Sequence, residues 1–173
     1  MASTDTPSAA PVNYDNDFWR FSLVVYGAEG VAAECLGLQD MLGIDVNVLL
    51  FCAWLGTRGA QLQRKDVEAA MRAVAVWQDD VVRPLRAIRQ FTKTKCDDEA
   101  FRTSLKQIEL RAEQIEQAKL FALSGQLAGA APAADRRAAI VKNINECIAI
   151  APGGAPVGAA AIAHLVDAAL RVR

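Results

Sequence analysis

The sequence predicts an all-α fold, a single compact bundle of about seven helices around one buried helix, and three observations carry that prediction. The first is the stretch Asp45 to Gly59, DVNVLLFCAWLGTRG, read as a central helix over 45–58. Val46, Val48 to Leu55 and their neighbours leave no polar face through its middle, and a helix that is apolar all round needs neighbours on every side. The run is about half of the ~20 residues a membrane span needs, so those neighbours are other helices. The second observation is apolar recurrence at helical spacing through most of the remaining chain. The third is the absence of any alternating run rich in β-branched residues.

The elements follow in order. MASTDTPSAAPVN is small, polar and proline-containing, with neither a basic nor an apolar segment of a signal peptide, so residues 1–14 are expected to be a disordered tail. Asp15, Asn16 and Asp17 offer N-caps for FWRFSLVVYG, which ends near Gly27 and is too apolar for one face alone. Val31 to Leu42 forms the next helix, with Val31, Cys35, Leu38 and Leu42 on one side and Gly43 as its stop. Asp45 then caps the central helix, and Gly59 closes it.

From Asp66, the stripe Val67, Ala70, Met71, Val74, Trp77 and Val81 continues through Leu85, Ile88 and Phe91 despite Pro84, which predicts one kinked helix or two nearly coaxial ones. The longest helix is expected from near Asp98 to Ser124 with Gly125 as its stop. Its stripe is Phe101, Leu105, Ile108, Ala112 and Ile115. GQLAGAAPAA reads as a flexible connection, Asp135 as the cap of a helix with Ile140, Ile144, Cys147 and Ile148 inward, and PGGAP as its end. A last helix covers about Val157 to Val172. Residues 15–173 thus make one helical domain, with halves 17–95 and 97–173.

Composition narrows the function classes. The 19 basic and 20 acidic residues nearly cancel, so no global field recruits nucleic acid or an anionic membrane. Hydrophobic residues reach 53%, enough for a substantial core. Cys35, Cys52, Cys96 and Cys147 lack CxxC spacing, and three of them sit in apolar stretches, so reduced thiols in a cytoplasmic setting are expected.

FWRFSLVVYG, CLGLQDMLGIDVNVLLFCAWLG and W-x3-VVRPLRAIRQF resemble a family of uncharacterised bacterial, mostly proteobacterial, helical proteins of similar length. The likeness covers roughly residues 17–95. It implies a bacterial, soluble, all-helical domain of unknown function, and the family offers no activity or catalytic residue to transfer.

No catalytic set emerges from the residues. His164 is the only histidine and is expected to face solvent, so neither a two-histidine metal site nor a cofactor is expected. No GxSxG or GxxxxGK[ST] motif occurs. Trp19, Trp54 and Trp77 read as core residues. Two constellations remain. Arg83, Arg86, Arg89 and Lys93 share one helix face pointing away from the apolar stripe, a solvated face or a docking surface for an acidic partner. Asp40, Asp45, Asn47 and Arg58, with Gln39 and with Arg20 as a cationic wall, either cap helices or line a polar pocket beside Trp54. The leading expectation is a binding or adaptor module that recognises a protein partner, with homo-oligomers compatible. The alternative is a small-molecule-binding protein or enzyme using that pocket. Nucleic acid is disfavoured because no exposed aromatic residues interleave the cations.

Overall fold

The computed structural model describes residues 12–127, 135–154 and 157–172. Its elements are α1 (Asp17–Tyr26), α2 (Val31–Leu42), α3 (Val46–Thr57), α4 (Arg64–Trp77), α5 (Arg83–Lys95), α6 (Glu99–Leu127), α7 (Arg136–Ala149) and α8 (Ala163–Arg171). A π turn over Gln78–Val82 makes α4 and α5 one continuous rod, and a 3-10 turn over Ala159–Ile162 leads into α8. Seven helical rods and no strand are therefore present among the described residues, an all-α bundle. None of these helices alone is long and apolar enough to cross a membrane.

The Asp45 carboxylate starts α3 by accepting the backbone N–H groups of Asn47 at 2.8 Å and Val48 at 3.3 Å. Every residue from Asn47 to Gly56 is buried, so the apolar helix is the centre of the bundle. Phe18 of α1, Phe51 and Trp54 of α3, and Phe121 of α6 form an aromatic cluster with ring centroids 5.3–6.0 Å apart. Helix α7 covers another side with Ile140, Ile144, Cys147 and Ile148, all buried. It approaches so closely that a Cβ on Gly56 would lie 2.6 Å from Ile140 Cα. Fully buried Asn143 fastens this contact, accepting from Leu62 N–H at 2.7 Å and donating to the Ala60 carbonyl at 2.9 Å.

Local signals place most helix ends. Asn16 caps α1 through the Trp19 N–H, Asp135 caps α7 through the Ala138 N–H, and Gly43 ends α2 at φ 67°. Two expected ends differ. Gly125 does not stop α6, which runs to Leu127, because a helical glycine costs only about 1 kcal/mol. The last α-helix begins at Ala163 rather than near Val157: Glu34 of α2 accepts the N–H groups of His164 and Leu165, each at 2.9 Å, and fixes its start there. The His164 ring is mostly exposed and meets the same carboxylate at 2.8 Å.

The largest departure lies after Trp77. Pro84 lacks an N–H and its ring crowds the preceding turn. The chain widens that turn, so Arg83 N–H bonds Gln78 O, and Pro84 falls in the first turn of α5, where no N–H is required. The extra residue rotates everything beyond it by about 100° relative to an unbroken α-helix. Val82 and Thr92 are consequently buried, whereas Ile88 and Phe91, expected inward, stand 46% and 67% exposed. On α6 the expected stripe also drifts. Leu105 and Ala112 are buried, but Phe101 and Ile108 are exposed, and the inner face continues through Glu109, Glu116 and Leu120 at the 3.6-residue period.

Residues 1–11 of the expected tail and 128–134 of the expected connection lie outside the described residues. Residues 12–14 are described, and they touch the bundle. The Tyr14 carbonyl accepts from Gln114 Nε2 at 3.1 Å, and its ring lies under the Arg111 guanidinium at 4.2 Å.

Candidate functional site: a charged cleft

The rotation of α5 turns Arg86 and Arg89 toward α6, where Glu109 and Glu113 sit one helical turn apart. All three nitrogens of Arg86 donate: Nε to Glu109 at 3.3 Å, Nη1 to Gln39 of α2 at 2.7 Å and Nη2 to Glu113 at 2.7 Å. Arg89 donates through Nε and Nη2 to both oxygens of Glu109. Glu109 is nearly sealed, so this is an internal ion network and not a solvated face. Burial pulls the Arg86 guanidinium down, but its hydrogen bonds with Glu113 and Glu109 carry it above its ordinary value. Burial pushes the Glu113 carboxyl up.

This network forms one wall of a cleft of about 460 Å³. Trp19, Leu23 and Tyr26 of α1, Leu36 and Gln39 of α2, and Lys106 and Leu110 of α6 complete its walls, with Val46, Asn47 and Leu50 of α3 beneath. The volume falls within the range of small-molecule sites, and apolar walls with a few placed polar groups are their usual chemistry.

Below the floor lies a second, drier polar group. Asn47 Nδ2 donates to Glu116 Oε2 at 2.9 Å, and Asn47 Oδ1 accepts from Gln117 Nε2 at 2.8 Å. Burial, then the adjacent Asp45 carboxylate, push the Glu116 carboxyl up to about 10. Glu116 is therefore protonated at neutral pH. Its Oε1 is buried without a hydrogen-bond partner.

The expected polar pocket is thus divided. Asn47 and Gln39 line the cleft, and Asp45 lies buried behind it. Arg20 is exposed and pairs with Asp15 and Asp17, Asp40 faces solvent on α2, and Arg58 lies over the Trp54 ring at 5.1 Å. Trp54 belongs to the aromatic cluster and not to the cleft, whereas Trp19 lines it. Of the basic face, Arg83 and Lys93 remain outward while Arg86 and Arg89 turn in, because the π turn shifts their register. The cleft residues that sequence reasoning missed include Lys106, Glu109, Glu113 and Gln117, with Ser22, Gln90 and Leu110. Glu109, Glu113 and Glu116 at core spacing on the longest helix were the available signal, matched by Arg86 and Arg89 one turn apart.

No curated protein and no solved structure matches the chain. A family model described as "Protein of unknown function (DUF2390)" matches residues 17–120, a segment that contains every residue lining the cleft. Because that match spans more than half of its length, the chain belongs to the DUF2390 family of proteins of unknown function.

Proposed function

We propose that this protein binds a small organic molecule in the cleft between α1, α2, α5 and α6. The observation that carries the reading is the convergence there of four helices and of Arg86, Arg89, Glu109 and Glu113 on one cavity of about 460 Å³. A bundle that needed only to be stable would pack this volume with apolar side chains, since replacing buried ion pairs by well-packed apolar residues is often neutral or stabilising. Leu110, half exposed at the rim, supplies the test. Leu110→Trp should keep the helical circular dichroism and lose the rise in Tm that library compounds give the native protein. A compound whose effect survives the substitution binds elsewhere, and a metabolite library without a hit overturns the reading.

A second reading, an adaptor for a protein partner, is favoured by the outer side of α5. Ile88 and Phe91 are exposed there on the helix that also carries the outward cations Arg83 and Lys93. A partner with apolar groups and carboxylates suits that surface. Phe91→Ser should then abolish its capture in pull-downs while Leu110→Trp leaves capture intact; capture insensitive to Phe91→Ser would exclude this face. Both readings fit a reducing, cytoplasmic compartment, consistent with four free thiols.

A further inference from the structure

The ligand class can be read from which hydrogen-bonding groups of the cleft are already used. Glu109 accepts from Arg86 and from both ends of the Arg89 fork, and the charge of Glu113 is matched by Arg86. Gln39 Oε1 is occupied by Arg86, and both amide atoms of Asn47 are occupied by Glu116 and Gln117. Ser22 Oγ and Gln117 Oε1 in the lining are buried without a partner but carry no charge, and the spare charged donors among the described residues are two. Arg89 keeps its Nη1 free, and Lys106 makes no ion pair.

These two spare cations lie at the same end of the cleft. Arg86 reaches both Glu109 and Glu113 whereas Arg89 reaches only Glu109, and Arg102 Nη1 donates to the Lys93 carbonyl, so α5 and α6 run antiparallel. Lys106, one turn before Glu109 on α6, therefore stands on the Arg89 side. Three cations line the cleft against two carboxylates, an excess of one positive charge focused between apolar walls. A dianion would overshoot that excess and meet the Glu109 and Glu113 carboxylates. A monoanion matches it.

Resting on the cleft-binding reading, we propose that the site selects amphipathic monocarboxylates, with the carboxylate held by Lys106 Nζ and Arg89 Nη1 and an aromatic or aliphatic body packed on Trp19, Leu23 and Leu110. Carboxylates suit a guanidinium fork and an ammonium through short, charge-assisted hydrogen bonds. The exposed leucines of the rim gain by covering the body.

The test compares three ligands of one shape, phenylpropionate, phenylpropionamide and phenylpropylamine, by calorimetry on the full chain. Phenylpropionate should bind about tenfold more tightly than the other two, and Lys106→Gln should remove about that factor for the carboxylate while leaving the amide unchanged. Lys106 is exposed and makes no ion pair among the described residues, so the variant folds. Equal binding of the amide or the amine overturns carboxylate selection and leaves the cleft reading standing. Carboxylate binding that ignores Lys106→Gln overturns the assigned placement. Failure of all three ligands to bind overturns the monocarboxylate proposal, and the cleft reading is then decided by the library screen.

Discussion

The two sides of this bundle are held together by different chemistry. Around α3, toward α7 and α1, the contacts are apolar and tight, to the point that Gly56 leaves no room for a methyl group against Ile140. Between α5 and α6, the contact is made by two arginines and two glutamates. The first side gains from every buried carbon atom. The second gains only while each charge keeps its partner, because an uncompensated buried charge is costly. A core that merely had to cohere would use the first chemistry throughout. The second appears where the chain keeps an open cleft.

That contrast can be broken from either side. Phe51→Ala should have the largest effect, about 3–5 kcal/mol in chemical denaturation, because it removes a fully buried ring packed on Phe18 and Trp54. A loss below about 1 kcal/mol would mean that the cluster collapses around the gap and is less rigid than its packing implies. Next comes Arg86→Ala, expected to cost about 3 kcal/mol by leaving Glu113 without its cation and Glu109 with Arg89 alone. If it costs no more than a surface pair, ~0–1 kcal/mol, the network is hydrated and the two sides differ less than described.

Glu116→Gln should be milder, within about 1 kcal/mol at neutral pH, because an amide reproduces the hydrogen bonds of the protonated acid. Its clearer signature is in pH. The native carboxyl titrates near 10 in the folded protein against an ordinary value of 4.5, so the folded state holds a proton that the unfolded state releases. Its contribution is complete below 4.5 and is lost progressively as pH rises toward 10. Thermal melts across that window should slope less steeply in Glu116→Gln. Unchanged slopes would show that Glu116 is ionised in the native protein. The smallest effect belongs to Arg83→Glu/Lys93→Glu, no more than about half a kcal/mol each, since both cations face water. A larger loss in denaturation would place them in contacts that the fold does not show.

How much of this could be read from the sequence also follows the contrast. The boundaries of α2, the capping of α3 by Asp45 and of α7 by Asp135, and the burial of Val48 to Leu55 were legible because each depends on local chemistry or on one strong pattern. The cleft was not. Its wall depends on where one widened turn falls, and apolar spacing on either side of Pro84 continues in register as though no residue had been added. Periodicity therefore assigned Ile88 and Phe91 to the interior and Arg86 and Arg89 to solvent, the reverse of their places. Likewise, Asp40 and Arg58 are near Asn47 in sequence but leave it in space, whereas Glu116, which pairs with it, is 69 residues away.

The widened turn at Gln78–Val82 makes the distal helix resemble a text that can be read in two frames. In the frame the protein uses, α5 presents arginines to α6. In the other, with the same residues wound as an unbroken α-helix, the same letters would present Leu85, Ile88 and Phe91. Deleting Asp79 or Asp80 would remove the residue that the widened turn absorbs, so a regular α-helix would then hold Arg86 and Arg89 toward α6 without it. In this stretch of the chain, the width of one turn decides which letters meet the neighbouring helix. Relatives one residue shorter between Trp77 and Pro84 would share both the fold and the cleft, with no widened turn.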